Sequence, residues 1–453
     1  MTTAVRPAPS ARNVAFAVLR DVFGPAGRGA AESLDRHLRA SALDARDRAF
    51  VTELAYGTIE GRRWLDWQLE PYLGARAAKL PLMIAEILRL GTYQLRAMRV
   101  HEYAAVSESV QLARRFGHPG TAGLVNAVLR RVSTDPERPV ADGDFPAHDD
   151  VLGTRASLPT WLVRMWRERF GAELLPAILA GVNAPAATGA SIDRRKGTRD
   201  ELIAILGERG IVAEASAFAA DAVIVKTPAP TPELRAALGE RAELHAEAAC
   251  FPADLLDPQP GERILEACSG RGNKTLQLAS AIGDRGTIVA IDNDARKIAR
   301  ARARLDEAHF TSVELRTGDA SALDGSETFD AVLLDAPCSG IGIIGRQPEA
   351  RWRKSPDDGA RLAPLQRALL DGATRALGPG GRLVYAVCST DPREGEGVIE
   401  PFLAAHPDIE RVALPERYAP LATPSGDVLV APGIEGRDGF FIAVLRRAVL
   451  RRR

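Results

Sequence analysis

The chain predicts an α/β fold in its second half, a parallel sheet covered by helices on both faces, preceded by a small α+β module and an all-helical front. Three observations carry this. The stretch Ile264–Ser280, ILEACSGRGNKTLQLAS, reads as strand, glycine turn and helix, the order in which an α/β domain lets a ligand cross the carboxyl end of its first strand. From Pro258 onward, short apolar runs alternate with helical patterns, which argues for parallel strands joined by crossover helices. The front of the chain carries one amphipathic helical pattern after another.

The length of 453 residues, 46% of them hydrophobic, suffices for two or three domains with real cores. Formal net charge is zero, but residues 1–133 hold 19 Arg and Lys against 12 Asp and Glu. A basic front hints at a polyanionic partner. Arginines number 53 and lysines six; arginine suits phosphate contacts, although genomic base composition produces the same bias. The four cysteines are scattered and none forms a C-x-x-C pair, so no disulfide framework is expected. The seven histidines lack metal-ligand spacing, and no metal is expected. The first residues lack an apolar signal core and no apolar run reaches membrane length, so a cytoplasmic protein without a membrane partner is expected.

In order, residues 1–135 form the helical domain. Ser10 can cap a first helix at Ala11, Asp44 and Asp47 can start another, and Leu82–Leu90, Ala104–Phe116 and Gly120–Val132 supply further apolar stripes. Residues 136–154, rich in Asp, Pro and Gly, read as a linker. Residues 155–240 open with an amphipathic stretch whose buried set is Trp161, Leu162, Met165, Trp166 and Phe170. They continue as a small α+β module with strands near Ala190–Asp193, Ile211–Val212 and Ala222–Val225 around a helix Thr198–Arg209. Residues 241–450 form the α/β domain, with strands Arg263–Glu266, Thr287–Asp292, Val313–Arg316, Phe329–Asp335 and Arg382–Val387. A turn at Gly378–Gly381 precedes the fifth, and Val428–Ala431 and Phe440–Leu445 are late strand candidates.

The chemistry is expected at the strand ends. Gly270 and Gly272 let backbone approach a ligand closely. Asp292, about twenty residues further on, can accept the hydroxyls of a ribose, and Asp319 in the run RTGDA follows the third strand. The G-x-G spacing, without a third glycine, favours S-adenosylmethionine over a dinucleotide. The fourth strand runs into Asp335-Ala336-Pro337-Cys338-Ser339-Gly340 and the fifth into Val387-Cys388-Ser389-Thr390. Isolated cysteines are commonly buried small hydrophobes; two at matching strand ends facing one cleft point to a site.

These runs, DAPCSGIGIIGRQPEARWR and LVYAVCSTDPREGE, with the closing DGFFIAVLRR, resemble the RNA cytosine-C5 methyltransferases. The helical front resembles the NusB-like domain of the bacterial small-subunit ribosomal RNA member, and LPTWLVRMWRERFG resembles the start of that family's small RNA-binding module. The resemblance implies a Rossmann-like methyltransferase domain using S-adenosylmethionine (AdoMet). It implies Cys388 as the thiol that adds to cytosine C6, Asp335 as the group on the base edge, and Cys338 as the aid to release of the adduct. Lys274 is implied near cofactor or base. Cys268, Ser269, Gly270, Arg271, Gly272, Asn273 and Lys274, with Asp292, Asp319 and Asp335, are implied as the cofactor site. The partner implied is small-subunit ribosomal RNA, unpaired or locally opened because the base must leave its stack. A monomer is slightly favoured.

The chain departs from the family pattern. The usual D-x-C-A-A-P-G-G-K-T is Glu266 to Thr275 here, with Arg271 for proline and Asn273 for the second glycine. Gly270 restores some flexibility, and asparagine tolerates left-handed backbone, so a variant pocket is expected. The usual P-E-E-N is Pro392-Arg393-Glu394-Gly395, and L-R-V-N is Ala190-Ser191-Ile192-Asp193. The same chemistry on tRNA or large-subunit RNA, and a catalytically silent RNA-binding assembly factor, stand as alternatives at this point.

Overall fold

The computed structural model describes residues 10–227 and 231–449. The chain divides into two compact units, Met1–Glu168 with Arg346–Arg353, and Arg169–Gly345 with Lys354–Arg453.

The first unit is helical: α1 (Ala11–Phe23), α2 (Ala30–Arg39), α3 (Ala45–Glu60), α4 (Arg62–Leu73), α5 (Leu82–Arg96), α6 (Glu102–Phe116), α7 (Pro119–Thr134), α8 (His148–Arg155) and the start of α9 (Thr160–Gly181). The expected caps are made. Ser10 Oγ accepts the Asn13 N–H, and the Asp44 carboxylate accepts the Asp47 N–H at 2.8 Å, each satisfying a donor the helix leaves free. Phe16, Leu19, Leu54, Ile84, Ile87 and Leu129 lie wholly inside one core, each contributing roughly 1.5–3 kcal/mol of burial.

Three features differ from expectation. Helix α2 was not read from the sequence; its apolar face is the short pair Leu34 and Leu38, which packs half-buried against this core. The expected linker holds α8, whose Val151 is buried and whose Asp150 pairs with Arg63 at 3.1 Å. In α9 Leu162, Val163 and Trp166 are fully buried, whereas Trp161, Met165 and Phe170 are only half-buried; the helix breaks at Gly171, φ +82°.

In the second unit, β1 (Thr188–Ile192), α10 (Arg199–Glu208), β2 (Ala213–Ala215), β3 (Ala222–Val225), α11 (Thr231–Leu238) and β4 (Ala242–His245) make a four-stranded antiparallel sheet ordered β2-β3-β1-β4. Ile211 and Val212, expected in a strand, precede β2 instead. Thr198 and Glu201 close a capping box on α10. The module is joined to the α/β part: Ser280 Oγ donates to the Ile192 carbonyl and accepts the Arg194 N–H at 2.9 Å.

The α/β part follows as α12 (Phe251–Leu256), β5 (Arg263–Ala267), α13 (Asn273–Ala281), β6 (Thr287–Asp292), α14 (Ala295–Glu307), β7 (Val313–Thr317), β8 (Phe329–Asp335), α15 (Ala350–Arg353), α16 (Asp358–Arg375), β9 (Leu377–Val387), α17 (Glu396–Ala405), β10 (Ile409–Arg411), β11 (Val428–Val430) and β12 (Phe440–Arg447). The strands form one sheet ordered β10-β12-β9-β8-β5-β6-β7, with β11 paired to β12. Strands β5 to β9 are parallel, as expected; β12 runs antiparallel to β9, and β10 and β11 each pair antiparallel with β12. Two apolar layers, around Leu334, Tyr385 and Phe441 on one face and Leu333, Ala386 and Ile442 on the other, cover both sides. Gly378–Gly381, expected as a turn before the fifth strand, lies inside β9 as an irregularity: pairing with β8 jumps from Phe329 with Leu377 to Ala331 with Arg382. Arg346–Arg353, expected within the α/β domain, packs in the helical unit instead, where Glu349 accepts the Ala30 N–H at 2.9 Å and the Trp352 indole donates to the Ile59 carbonyl at 2.6 Å.

Candidate active site

Strand β5 is flanked by β6 on one side and β8 on the other, so the chain turns in opposite directions from it. A crevice opens outside the carboxyl ends of the strands at such a point. The residues that the sequence singled out gather at these ends.

The two thiols come together there. Cys338 Sγ and Cys388 Sγ stand 3.3 Å apart, joined by a sulfur hydrogen bond. Each follows a strand that the parallel β8–β9 ladder holds in register up to Asp335 and Ala386, and the Ala336 N–H donates to the Ala386 carbonyl at 2.9 Å. The hydrogen bond to Cys388, then burial, then the charges of Cys388, Glu394 and Asp335 hold the Cys338 thiol well above the usual range. Cys338 therefore holds its proton more firmly than an ordinary thiol. All four cysteines are free. Burial pushes the other two, Cys250 and Cys268, up to about 12, which leaves them inert as nucleophiles.

Lys274, on the first turn of α13, reaches Asp335 with Nζ 2.6 Å from Oδ2. Lys274 is buried. Burial alone would strip its charge, but the Asp335 carboxylate, by charge and hydrogen bond, and the neighbouring Cys388 and Glu266 hold the ammonium above its ordinary range. The site thus keeps a fixed cation beside the thiol pair. Glu266, beneath it on β5, accepts a hydrogen bond from the Thr275 hydroxyl. Burial raises its carboxyl to about 8 against the opposing pull of Thr275 and Lys274.

The glycine loop runs from Cys268 to Asn273. Cys268, Gly270 and Gly272 take left-handed backbone, φ +64°, +60° and +80°. Gly272 has a second reason to lack a side chain, since a Cβ there would meet Ala301 Cβ at 3.1 Å. Around Gly270 the space is open. Asn273 does not use the left-handed tolerance expected of it; it is the first residue of α13, and Cys268 takes the left-handed position instead. Asn273 Oδ1 and the Arg271 carbonyl both accept from the Arg304 guanidinium, the latter at 3.0 Å, and Arg304 is held in turn by Glu243 at 3.2 Å. The Arg271 side chain is exposed. The Ser269 hydroxyl is buried without a hydrogen-bond partner. A partnerless hydroxyl beside open left-handed glycine suits a polar ligand laid along the loop.

Asp292 ends β6 and is buried. Its Oδ2 accepts the Gly270 N–H at 2.9 Å and its Oδ1 the Asp294 N–H at 2.9 Å, so the ribose candidate also anchors the loop. Asp319 stands exposed after β7. Hydrogen bonds from the Ser321 hydroxyl and N–H hold its carboxyl below the usual range. Sequence reasoning missed Arg304, one arginine among several on α14, and it missed Glu394, which lies behind both thiols. The signal for Glu394 was a pair of Cys-Ser dipeptides with an acid soon after the second. Among the described residues no group of three or more His, Cys, Asp or Glu could hold a metal ion, and no helix is long and apolar enough to cross a membrane.

Comparison with known proteins identifies the family. Residues 253–446 match the family model of the 16S rRNA methyltransferase RsmB/F, residues 9–134 the NusB family, and residues 158–232 the ferredoxin-like domain of RsmF/B-like methyltransferases. The chain is 36% identical to the ribosomal RNA small subunit methyltransferase B of Thermus thermophilus, over 96% of this chain and 97% of that protein. It is 32% identical to the probable ribosomal RNA small subunit methyltransferase B of Bacillus subtilis, over 90% and 93%. Among solved structures, that of PH0851 superposes with a TM-score of 0.80 at 24% identity, over 98% of this chain and all of its own. A methyltransferase homolog from Pyrococcus horikoshii gives 0.57 at 24% identity, over 67% and 99%; both likenesses speak for the fold. The chain belongs to the RsmB/F family of 16S rRNA methyltransferases, AdoMet-dependent enzymes that methylate C5 of cytosine in ribosomal RNA.

Proposed function

We propose that the chain methylates C5 of one cytosine in small-subunit ribosomal RNA, with Cys388 as nucleophile and Cys338 as the group that frees the product. The observation that carries this reading is the thiol pair at 3.3 Å beside the Lys274–Asp335 ion pair at 2.6 Å. C5 of cytosine is a weak nucleophile. Addition of the Cys388 sulfur to C6 pushes electrons to C5, so that one difficult step becomes two easier ones. The nucleophile is a thiolate rather than a thiol, and the fixed Lys274 cation stands beside the Cys388 sulfur. A proton from solvent settles on N3 as the C6–S bond forms, the Asp335 carboxylate accepts that N3–H, and the proton returns to solvent when the product is released.

AdoMet, when bound, supplies the methyl group as an electrophile. Cys268 to Lys274, Asp292, Asp319 and Asp335 would hold it. The left-handed glycines and the partnerless Ser269 hydroxyl fit a ligand there. After transfer, the C5 proton must leave before the C6–S bond breaks. Conversion of Cys388 to a thioether removes its charge and weakens it as acceptor of a hydrogen bond from Cys338, the first cause that holds the proton on Cys338. Cys338 then gives its own proton to solvent and takes the one from C5, and the electron pair of the C5–H bond forms the C5=C6 double bond and expels the Cys388 sulfur as thiolate.

In this reading residues 1–135 and 155–240 dock RNA, residues 136–154 connect them, and residues 241–450 perform the chemistry in the cytoplasm on an unpaired or locally opened target. A monomer suffices, since one chain carries both thiols. Unmodified small-subunit RNA and methyl-labelled AdoMet test the reading. Cys388→Ala should abolish transfer and Cys338→Ala should accumulate a covalent protein–RNA adduct. Full transfer by Cys388→Ala refutes it.

A further inference from the structure

Behind the two thiols lies a buried carboxylate that the chemistry above does not use. Glu394 is wholly inside the fold. Its Oε1 accepts the Ser339 N–H at 2.8 Å and the Gln366 side-chain amide at 3.0 Å. Its Oε2 accepts the hydroxyls of Ser339 and Ser389. Ser339 is the residue after Cys338, and Ser389 is the residue after Cys388. The two hydroxyl oxygens lie 3.0 Å apart, each committed as a donor to one carboxylate oxygen. Gln366 also donates to the Pro337 carbonyl at 3.0 Å, so Pro337 and Ser339, on either side of Cys338, are held from one centre. The backbone of Glu394 is tied down as well, its carbonyl accepting the Tyr385 hydroxyl at 2.7 Å.

We infer that Glu394 is a positioning residue: its carboxylate staples the two cysteine loops through Ser339 and Ser389 and so sets the spacing between the Cys338 and Cys388 sulfurs. This rests on the assignment of those sulfurs as release group and nucleophile. A carboxylate is the one common side chain that accepts several hydrogen bonds on two oxygens without donating any, and every neighbour here is a donor. Charge-assisted bonds of this kind are shorter and stronger than neutral ones. A glutamine in its place would present its amide N–H either to the Ser339 N–H, which cannot accept it, or to the two hydroxyls, which would both have to turn round and lose their bonds to the carboxylate. The geometry has a second consequence, because the negative charge sits close enough to help keep the proton on Cys338. Glu394 thus supports both the distance across which the proton is shared and its retention on the sulfur that must not attack.

The test is Glu394→Gln in the full chain, with three readouts: AdoMet binding and thermal unfolding, the pH profile of iodoacetamide alkylation at each thiol, and single-turnover rates of adduct formation and release on small-subunit RNA. We expect AdoMet affinity and KM for RNA within about twofold of wild type, and transfer slowed by about tenfold or more from loss of charge-assisted hydrogen bonds. The alkylation profile of Cys338 should move to lower pH, a shift that a merely structural role would not produce. Transfer within about twofold of wild type, with both alkylation profiles unmoved, overturns the inference. If Glu394→Gln does not fold, the pair Ser339→Ala with Ser389→Ala cuts the same hydroxyl links while leaving the carboxylate in place. A similar loss supports the staple, and an unchanged rate refutes it. Cys388→Ala is the parallel control. If that variant still transfers methyl, the nucleophile assignment has failed; if it is inactive while Glu394→Gln is unimpaired, only the staple has failed.

Discussion

The thiol cleft and the glycine loop meet the same crevice but are held in opposite ways. The cysteine loops are fastened from inside, by parallel strands in register and by the buried Glu394 carboxylate. The glycine loop is fastened from its rim, by Arg304 reaching across from α14 to the Arg271 carbonyl and Asn273, and from below by Asp292 on the Gly270 N–H. Bond-making thiols need sub-ångström placement, and a buried carboxylate with hydrogen bonds on both oxygens supplies it. A loop that admits and releases a cofactor needs open space, which left-handed glycine backbone supplies at Gly270. The departures from the usual family motif also fall on the rim, at Arg271 and Asn273. There the Arg304 side chain bonds both positions, whereas on the thiol side the usual P-E-E-N keeps its Glu394 and changes at Arg393 and Gly395.

This contrast is sharpened first at Lys274. Lys274→Met removes the buried cation beside the thiols and leaves Asp335 without its partner. Methyl transfer should fall by about a hundredfold or more, as for loss of a preorganised charge in a closed site. Single-turnover measurement at saturating AdoMet checks it, and a loss confined to AdoMet affinity would move Lys274 to the loop side of the comparison.

Arg304→Ala should act on the loop alone. Loss of its bonds to Arg271 and Asn273 should weaken AdoMet binding by about five- to tenfold, leaving transfer at saturating AdoMet close to wild type; titration calorimetry checks the first and initial rates the second. An equal drop in both would show that the rim and the thiols are coupled.

The smallest effect is expected from pH. Glu266 is raised from its ordinary value near 4.5 to about 8, first by burial. The fold therefore holds a proton that the unfolded chain has already lost. Its contribution to stability is complete below the unfolded value and drains away as pH climbs through about 8. Thermal midpoints of the wild type should accordingly decline between these values, and Glu266→Gln should flatten that decline. An identical slope in the variant would place the ionisation elsewhere.

What was legible in the sequence was whatever short range dictates. Strands Thr287–Asp292 and Phe329–Asp335 stand where their apolar runs predicted, and Ser10 and Asp44 cap the helices they announce. The matching Cys-Ser dipeptides at two strand ends gave away the thiol pair. Helix α2 escaped because its apolar face is only two leucines, Leu34 and Leu38, one turn apart. Gly378–Gly381 escaped because a ladder can absorb an irregularity that local rules read as a turn.

Chain order and side-chain chemistry, then, determined which groups are present and on which strand ends they fall, since backbone propensity and hydrophobic period act over a few residues. Only the tertiary structure decided the 3.3 Å between sulfurs separated by fifty residues. It alone brought Lys274 to Asp335, set Glu394 behind both thiols and gave Arg346–Arg353 to the helical unit. The reason is physical. Hydrogen bonds and ion pairs of that kind join residues far apart in the chain, and their geometry exists only once the sheet has set the ladder on which they hang.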